Sequence, residues 1–304
     1  MYDIIGDLHG HGDELERLLH LLGYSQVRGV YQHPERKVIF LGDWIDRGPK
    51  IKKVLEIVRP MVLENRALAI LGNHEWNALA FHTEHPHQAG EFLRPHHEKN
   101  VRQHSGTLEQ LSPTELNLYL DWFRTVPLWL DLPELRAIHA CWDNDERSKI
   151  EALWSPQRVI HHELLVRGSD QQDPIFAAIE VLLKGKEVRL PGEYHIIDKD
   201  GIRRKRTRTR WYLSPHGLTY QQYLWDRADC TELLPAELVT IAQPYPEDAP
   251  PVFVGHYWQF APTPSVLAPN VACLDYSVAK GGFACSYRWG GEKVLLNDNF
   301  VILQ

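Results

Sequence analysis

Short runs of apolar and β-branched residues recur along the chain, and most of them end at a glycine, aspartate, asparagine or histidine. Each run has the length of a buried strand. The runs are residues 2–5, 37–41, 67–71, 135–138 and 252–254. Between the first three runs, residues 13–22 and 50–58 repeat apolar side chains at the spacing of an amphipathic helix. This succession of strand, loop, helix and strand predicts a layered α/β fold.

A polar, histidine-rich segment at residues 76–130 interrupts this rhythm. Within it, Ser112 followed by Pro113 and Glu115 has the chemistry of a helix start: an N-cap, a proline in the first turn and an acidic neighbour. The pattern predicts a helix over residues 112–123. We expect the histidines of this segment to be solvated loop residues.

A second interruption covers residues 155–250. The sequence pattern of this segment predicts a helix over residues 175–184 and a β-hairpin. In the hairpin, residues 194–197 form the first strand, a turn follows, and residues 202–213 form the return strand. Beyond it the pattern is all-β, and the predicted strands are residues 271–276, 283–289, 293–296 and 300–303. We expect one domain over residues 1–304, in which the two insertions form a cap beside the functional site.

The composition is that of an ordinary globular protein, with 43% hydrophobic and 24% charged residues and a net charge of −7. No run of about 18 apolar residues occurs, which argues against a membrane span, and the first residues resemble a strand rather than a signal peptide. The four cysteines have no disulfide-framework spacing, so we expect a cytoplasmic protein with free thiols. The negative charge argues against nucleic-acid binding, although residues 203–210 form one basic run, RRKRTRTR.

Each of the five buried runs leads directly into candidate metal ligands. The sequences that carry them are GDLHG (6–10), GDWIDRG (42–48), GNHE (72–75), a single histidine (139) and GH (255–256). Because ligands bind beyond the carboxyl ends of strands in open α/β sheets, these loops can converge. Two aspartates, one asparagine and three or four histidines suit Mn²⁺, Fe or Zn²⁺ better than Ca²⁺. Two adjacent metals also need a bridging carboxylate, which one aspartate can supply.

In their order and spacing these motifs resemble the calcineurin-like metallophosphoesterases. The resemblance is greatest to the phosphoprotein phosphatase branch, which includes bacterial and lambda-phage-type protein phosphatases and dinucleoside tetraphosphatases. It covers about residues 1–75, 135–145 and 252–303. It implies a four-layer α/β/β/α sandwich of two mixed sheets, and a site for two divalent metal ions, with Mn²⁺ favoured and Fe or Zn²⁺ as alternatives.

The resemblance also implies a role for each motif residue. Six residues would bind the two metals, with the second aspartate as the bridge: Asp7, His9, Asp43, Asn73, His139 and His256. His74 would be the general acid, Asp46 would orient its imidazole, and Arg47 would grip the phosphate. A metal-bound hydroxide would attack phosphorus directly. Glu75 is expected to be structural or solvated rather than catalytic.

Two substrate classes fit these expectations. Phosphomonoesters on protein serine, threonine or tyrosine are expected first, and dinucleoside polyphosphates such as diadenosine tetraphosphate are the alternative. The basic run bears on the choice, since a strand over residues 202–213 would align alternate arginines on one face. Such a stripe would face either the protein's own acidic surface or substrate phosphates, and the candidates for phosphate binding are Arg206, Arg208 and Arg210. A nucleic-acid-binding or end-processing module that uses this run is a third, weaker alternative.

Overall fold

The computed structural model describes residues 1–154, 158–197, 203–226 and 229–303. Its strands are β1 (Tyr2–Ile5), β2 (Ser25–Val27), β3 (Val30–Gln32), β4 (Lys37–Phe40), β5 (Ala67–Ala69), β6 (Trp129–Asp131), β7 (Arg136–Ile138), β8 (Glu187–Arg189), β9 (Ile196–Ile197), β10 (Arg203–Arg204), β11 (Arg206–Arg208), β12 (Val252–Val254), β13 (Val271–Cys273), β14 (Asp275–Tyr276), β15 (Phe283–Trp289) and β16 (Phe300–Ile302). Its helices are α1 (Gly12–Leu21), α2 (Ile51–Leu63), α3 (Asn73–Phe81), α4 (Glu98–Gln110), α5 (Pro113–Arg124), α6 (Asn144–Glu151), α7 (His162–Arg167), α8 (Pro174–Lys184), α9 (Tyr220–Tyr223) and α10 (Ala236–Ile241). Among the residues described, no helix is both long enough and apolar enough to cross a membrane.

The first of two large sheets contains β14, β15, β1, β4 and β5 in that order, with β16 beside β15. β1 lies in its interior, parallel to β4 and antiparallel to β15, so that Ile4 is opposite Ile39 on one side and Tyr287 on the other. Parallel neighbours need a crossover connection. Helices α1 and α2 supply it between β1 and β4 and between β4 and β5.

The second large sheet has the order β13, β12, β7 and β6, and β12 is parallel to both β13 and β7. Side chains alternate along each strand. Ile4 and Phe253 therefore point into one apolar cluster, which residues of both sheets share. Ile5 and Val254 point the opposite way, into a second cluster with residues of α1, α2 and α8. Two mixed sheets face to face, with helices on the outside, confirm the expected α/β/β/α sandwich.

Most core elements match the sequence pattern. The strands predicted at residues 2–5, 252–254 and 283–289 coincide with β1, β12 and β15. Helix α5 begins after its expected N-cap: the Glu115 carboxylate accepts a hydrogen bond from Ser112 N at 2.9 Å, and the Ser112 hydroxyl accepts one from Glu115 N at 3.4 Å. The strand predicted at 293–296 is wrong, because Leu295 N donates to Pro269 O at 2.7 Å and the segment joins no strand ladder.

The predicted return strand at residues 202–213 is also wrong in part. It contains two short strands with different partners: β10 pairs with β9, whereas β11 pairs with β8. The chain bends at Lys205 between them. Thr207 is buried in β11, and its hydroxyl donates to the Asp226 carboxylate at 2.6 Å, which joins β11 to a later part of the same insertion. The predicted turn at 198–201 lies outside the described residues.

The second insertion packs against the loop that follows β12. Its own apolar cluster is formed by Leu190, Tyr220, Tyr223, Leu224, Cys230 and Leu234. Trp225 stacks on Tyr257, with 4.1 Å between ring centres, and its Nε1 donates to Tyr257 O at 3.3 Å. Trp225 N also donates to Arg208 O at 2.9 Å. These contacts hold β11 beside the end of β12.

Candidate metal centre

The loops that follow β1, β4, β5, β7 and β12 meet and bring six candidate ligands together. All of these side chains are buried: Asp7, His9, Asp43, Asn73, His139 and His256. His256 N donates to both carboxylate oxygens of Asp7 at 3.2 Å, although the two residues are 249 positions apart. Leu8 N and His9 N donate to Asp43 O at 3.1 and 2.8 Å. Backbone hydrogen bonds thus join the loops at the ligand positions themselves.

Asp43 lies between two groups of candidate ligands. One of its carboxylate oxygens is 3.5 Å from His9 Nε2, and the other is 3.4 Å from His139 Nε2. The second oxygen also accepts a hydrogen bond from His74 N at 3.0 Å. His139 Nε2 in turn lies 3.3 Å from Asn73 Oδ1. This geometry fits a carboxylate that bridges two cations.

Backbone carbonyl groups orient the imidazole rings. His9 Nδ1 lies 3.1 Å from Ile45 O and His139 Nδ1 lies 2.7 Å from Leu41 O, and both contacts require the proton on Nδ1. The Nε2 atoms are then left with the lone pair that a metal needs. Within the described part of the chain, the buried Nε2 atoms of His9 and His256 have no hydrogen-bond partner. Buried polar atoms are rarely left unpaired, so these nitrogens fit metal ligands.

Three buried carboxylates, those of Asp7, Asp43 and Asp275, share this small volume. Burial raises the pKa of Asp7 well above its usual value, and the charge of Asp275 adds to the rise. Burial likewise raises the pKa of Asp275. Burial alone would also raise the pKa of Asp43, but His139 and His74 hold it well below its usual value. Bound cations would neutralise this concentration of negative charge.

The ligand loops adopt backbone conformations that are rare outside glycine. Positive φ angles between 41° and 68° occur at His9, Asp43, Asp46, Arg47 and His256. Such outliers cluster at functional sites, where the surrounding structure enforces them. Glycines at two positions let the loops approach each other. An added Cβ would lie 2.1 Å from Asp43 Oδ1 at Gly72 and 2.0 Å from Asp7 Oδ1 at Gly255.

His74 lies beside the ligands but has partners of its own. Its Nδ1 is 2.6 Å from Asp46 Oδ2, and its Nε2 is 3.1 Å from Arg47 Nη2. A guanidinium can only donate hydrogen bonds, so Nε2 accepts in this arrangement and Nδ1 carries the proton. The Arg47 guanidinium also lies 4.5 Å from the ring centre of Trp258, and Lys280 Nζ lies 3.7 Å from the same ring.

Glu75 joins two ligand loops, a role that the sequence pattern did not reveal. The side chain is completely buried. Its Oε2 accepts hydrogen bonds from Asp43 N and Gly72 N at 2.8 and 3.0 Å, and its Oε1 accepts from Trp44 N and Ile45 N at 2.8 and 3.3 Å. Burial and the charge of Asp43 raise the pKa of Glu75 to about 7. One carboxylate therefore holds the loop after β4 against the loop after β5.

His104 and Thr107 reach Asp46 from helix α4 of the first insertion. His104 is 4% exposed, so the expectation of a solvated loop histidine is wrong for this residue. Its Nδ1 lies 2.9 Å from Asp46 Oδ1, and the Thr107 hydroxyl donates to the same oxygen at 2.5 Å. The two residues are three positions apart on one helix face. The five sequence motifs do not include these two residues, and a histidine and a threonine on a polar helix give no sequence signal.

A cavity of about 1360 Å³ opens onto the metal centre and is also lined by both insertions. Among the described residues, ten cationic and five anionic side chains line it, although the chain carries a net charge of −7. The cations are Arg47, Arg94, Lys99, Lys184, Arg203, Arg204, Lys205, Arg206, Arg208 and Lys280. The anions are Asp43, Asp46, Glu180, Glu187 and Asp226. The positive cavity wall is therefore a local feature of an acidic protein.

The three arginines predicted to bind substrate have different environments. Arg206 is exposed, lines the cavity and lies 3.6 Å from a neighbouring carboxylate. Arg208 also lines the cavity, and its Nε donates to Lys184 O at 2.8 Å. Burial lowers the pKa of His256, and the charge of Arg208 adds to this effect. Arg208 and His256 line the same cavity. Arg210 follows the end of β11 and is not among the described residues that line the cavity.

Curated proteins similar to this sequence include bis(5'-nucleosyl)-tetraphosphatases PrpE of the asymmetrical type. One from Oceanobacillus iheyensis is 32% identical over 162 residues, which cover 50% of this chain and 63% of the relative. Another from Halalkalibacterium halodurans is 46% identical over 74 residues, which cover 24% of this chain and 30% of the relative. The chain thus spans less than two thirds of the length of these relatives.

Solved structures with a similar fold include two protein phosphatases. A cold-active protein-tyrosine phosphatase of a psychrophilic Shewanella species aligns with 100% of this chain and 80% of its own, with a TM-score of 0.51 and 17% identity. A protein serine/threonine phosphatase from Saccharomyces cerevisiae aligns with 99% of this chain and 78% of its own, with a TM-score of 0.53 and 13% identity. At these identities the likeness concerns the fold alone.

The sequence profile of the calcineurin-like phosphoesterases matches residues 2–178, which is more than half of the chain. The match includes the loops after β1, β4, β5 and β7, which carry five of the six candidate ligands. The sixth, His256, joins them through its hydrogen bonds to Asp7. This protein therefore belongs to the calcineurin-like phosphoesterase family.

Proposed function

We propose that this protein is a phosphoesterase that hydrolyses dinucleoside polyphosphates such as diadenosine tetraphosphate. The proposal rests on the cavity, which is lined both by candidate metal ligands and by a wall of cations that includes Arg208. A tetraphosphate carries several negative charges beyond the group that reacts, and cations along one wall would bind them. The relatives named as tetraphosphatases support the same substrate class.

Phosphoproteins, the substrate class expected first from the sequence, have weaker support. The solved protein phosphatases share 13% and 17% identity with this chain and support its fold only. The relatives with 32% and 46% identity over the matched residues are tetraphosphatases. A phosphomonoester on a protein would also leave most of the cationic wall without a phosphate to bind.

The proposed site would hold two divalent cations. The first would be bound by Asp7, His9 and Asp43. The second would be bound by Asp43, Asn73, His139 and His256. The mixed oxygen and nitrogen donors favour Mn²⁺, with Fe or Zn²⁺ as alternatives. When bound, the two cations would activate water as a nucleophile and neutralise charge on the phosphoryl oxygens.

His74 is proposed as the general acid and not as a ligand. Ligand atoms of His9, Asp43 and His74 lie within 4.8 Å of one another, so position alone would allow His74 to coordinate. The hydrogen bond to Asp46 instead holds one proton on Nδ1 and directs Nε2 towards the cavity. To act as the acid, His74 would take up a second proton on Nε2, and the ionised Asp46 would balance the charge of this imidazolium. The Nε2 proton would then pass to the leaving oxygen. The contact between Arg47 and Nε2 would be exchanged for a forked contact between Arg47 and the substrate phosphate.

A comparison of substrates tests the proposal. The metal-supplemented protein is assayed with diadenosine tetraphosphate, an acidic phosphopeptide and p-nitrophenyl phosphate. We expect kcat/KM to be highest for the tetraphosphate, because it alone carries further phosphate groups for the cationic wall to bind. A higher kcat/KM for the phosphopeptide would overturn the proposal and restore the phosphatase expectation.

The cavity wall is tested by Arg208→Gln, with Arg210→Gln as a matched control from the same basic run outside the cavity. A hydrogen bond to a charged group contributes about 1.5–3 kcal/mol, so its loss should raise KM for diadenosine tetraphosphate roughly 10- to 150-fold. The KM for p-nitrophenyl phosphate should change much less, and the control should change neither value. An equal rise for the large and the small substrate would mean that Arg208 does not bind distal phosphates.

A further inference from the structure

Asp46 uses both of its carboxylate oxygens, and only one of them bonds to His74. Oδ2 lies 2.6 Å from His74 Nδ1. Oδ1 lies 2.9 Å from His104 Nδ1 and accepts the Thr107 hydroxyl at 2.5 Å. All four side chains are buried. Rotation of the carboxylate would break hydrogen bonds on both sides, so the partners of Oδ1 determine the direction in which Oδ2 points.

His104 is itself held in place by the end of helix α3. Its Nε2 lies 3.1 Å from Nε2 of His82, and its ring centre lies 5.2 Å from that of Phe81. His82 follows α3, the helix whose first turn carries Asn73 and His74. It also lines a smaller cavity of about 320 Å³ between α3 and α5. An imidazole chain therefore connects the two ends of α3 through Asp46 and helix α4.

The same contacts favour an ionised Asp46. Burial alone would raise the pKa of this carboxyl, but the hydrogen bond from His104, followed by that from His74, holds the pKa well below its usual value. An ionised carboxylate offers only acceptors. It therefore keeps the proton of His74 on Nδ1 and leaves Nε2 for the cavity.

We propose that His104 is a positioning residue for the Asp46–His74 pair. Together with Thr107 it fixes the carboxylate of Asp46, and through that carboxylate it fixes the ring of His74. Helix α4 of the first insertion thus supplies the side chains that orient the proposed general acid. This inference rests on the proposed role of His74 but does not depend on the identity of the substrate.

Leaving-group dependence tests the positioning role. For His104→Ala we expect kcat for phenyl phosphate to fall about 10- to 100-fold, the usual range for a residue that orients a site residue. The loss should be smaller for p-nitrophenyl phosphate, whose leaving group needs less protonation, and KM should change little. His104→Asn should recover most of the activity, because its amide N–H can replace Nδ1–H. Equal losses for the two phosphates would overturn the proposal.

His96→Ala is the matched control within the same insertion. The ring of His96 is stacked between Phe81 and Phe92, with centres 3.8 and 4.0 Å away, and its Nε2 bonds to Phe81 O. Removing this side chain weakens the packing of the same segment but breaks no hydrogen bond to Asp46. The ratio of kcat for phenyl phosphate to kcat for p-nitrophenyl phosphate should therefore stay unchanged. A shift of that ratio as large as in His104→Ala would assign the effect to general loosening and overturn the positioning role.

A double variant and a spectroscopic measurement separate positioning from a structural role. His74→Asn with His104→Ala should be about as slow as His74→Asn alone, because His104 acts through His74. If the loss of kcat in the double variant equalled the product of the losses in the two single variants, the proposal would be overturned.

The proton on Nδ1 of His74 should also give a downfield ¹H resonance in the zinc-loaded protein, assigned by its absence in His74→Asn. We expect it to shift or disappear in His104→Ala and to persist in His104→Asn and His96→Ala. A resonance unchanged in His104→Ala would refute the positioning role. Neither measurement uses a dinucleotide, so this inference and the proposed substrate can fail separately.

Discussion

Replacing Gly255 by alanine would test the metal centre through its backbone, without changing any proposed ligand. Gly255 lies between β12 and His256, and a Cβ added there would lie 2.0 Å from Asp7 Oδ1 and 3.2 Å from Asp7 Cγ. Gly255 does not have a positive φ, so alanine would add little backbone strain. The effect of the substitution should therefore come from contact with the Asp7 carboxylate.

The expected effect of Gly255→Ala on activity and stability can be estimated from these distances. Real Cβ atoms are essentially never closer than 3.0 Å to such a neighbour, so the Asp7 carboxylate must move by about 1 Å. Metal–ligand distances tolerate about 0.2 Å, which means that the shifted carboxylate no longer fits the first cation. A misplacement of about 1 Å in a catalytic site lowers activity on the order of 100-fold. Overpacking should also lower the free energy of unfolding by about 1–3 kcal/mol.

The assay combines elemental analysis with turnover of p-nitrophenyl phosphate at saturating and at limiting metal. We expect Gly255→Ala to bind fewer metal ions per chain at limiting metal and to lose most of its turnover, while its circular dichroism stays that of the wild type. Gly290→Ala is the matched control, because its nearest contact would be the Glu292 carboxylate at 3.4 Å. If Gly255→Ala retained two metals and turnover within about twofold of the control, Asp7 would not be a ligand in the proposed position.

Three further predictions concern the same site. Asp43→Asn should lower metal content and remove most activity, because a carboxamide bridges two cations poorly; two metals per chain with normal turnover would exclude the bridge. His74→Asn should keep its metal content while kcat falls about 10²–10⁴-fold, with a larger loss for phenyl than for p-nitrophenyl phosphate. Chelation should lower the melting temperature, because it leaves the buried carboxylates of Asp7, Asp43 and Asp275 without compensating charge; an unchanged melting temperature would count against a metal in this position.

The core of the fold could be predicted because its signals are local. A buried strand appears in the sequence as a short apolar run. A polar residue shortly after such a run indicates either a turn or a binding site, so Asp7, Asp43 and His256 stand out in the sequence. Where several short strands could pair with one another, as in the second insertion, local signals do not determine which strands pair. The alternation of arginine and threonine predicted a strand around Thr207, but its partner is chosen by contacts such as that with Asp226, which lies 19 positions away.

The contribution of the insertions to the site could not be predicted for a related reason. His104 reaches Asp46 only because α4 packs across the loop after β4, and the residues between positions 46 and 104 carry no pattern that indicates this packing. The role of Glu75 could not be predicted for a different reason. This residue stands inside a recognised motif, yet its four backbone partners lie on two loops whose approach depends on glycines such as Gly72. Sequence motifs indicate the candidate ligands, whereas tertiary packing determines which side chains support them.

The separation of Asp7 and His256 along the chain also determines when the metal centre can form during folding. Their hydrogen bonds close a loop of 249 positions, and β1 itself needs β15 as well as β4 to complete its pairing. Closing long loops loses chain entropy before the new contacts compensate for it, so such contacts form late. A partly folded chain would expose isolated aspartates and histidines with little affinity for a cation. Metal capture by the proposed ligands would then be one of the last steps of folding, and retained metal would report that both sheets have docked.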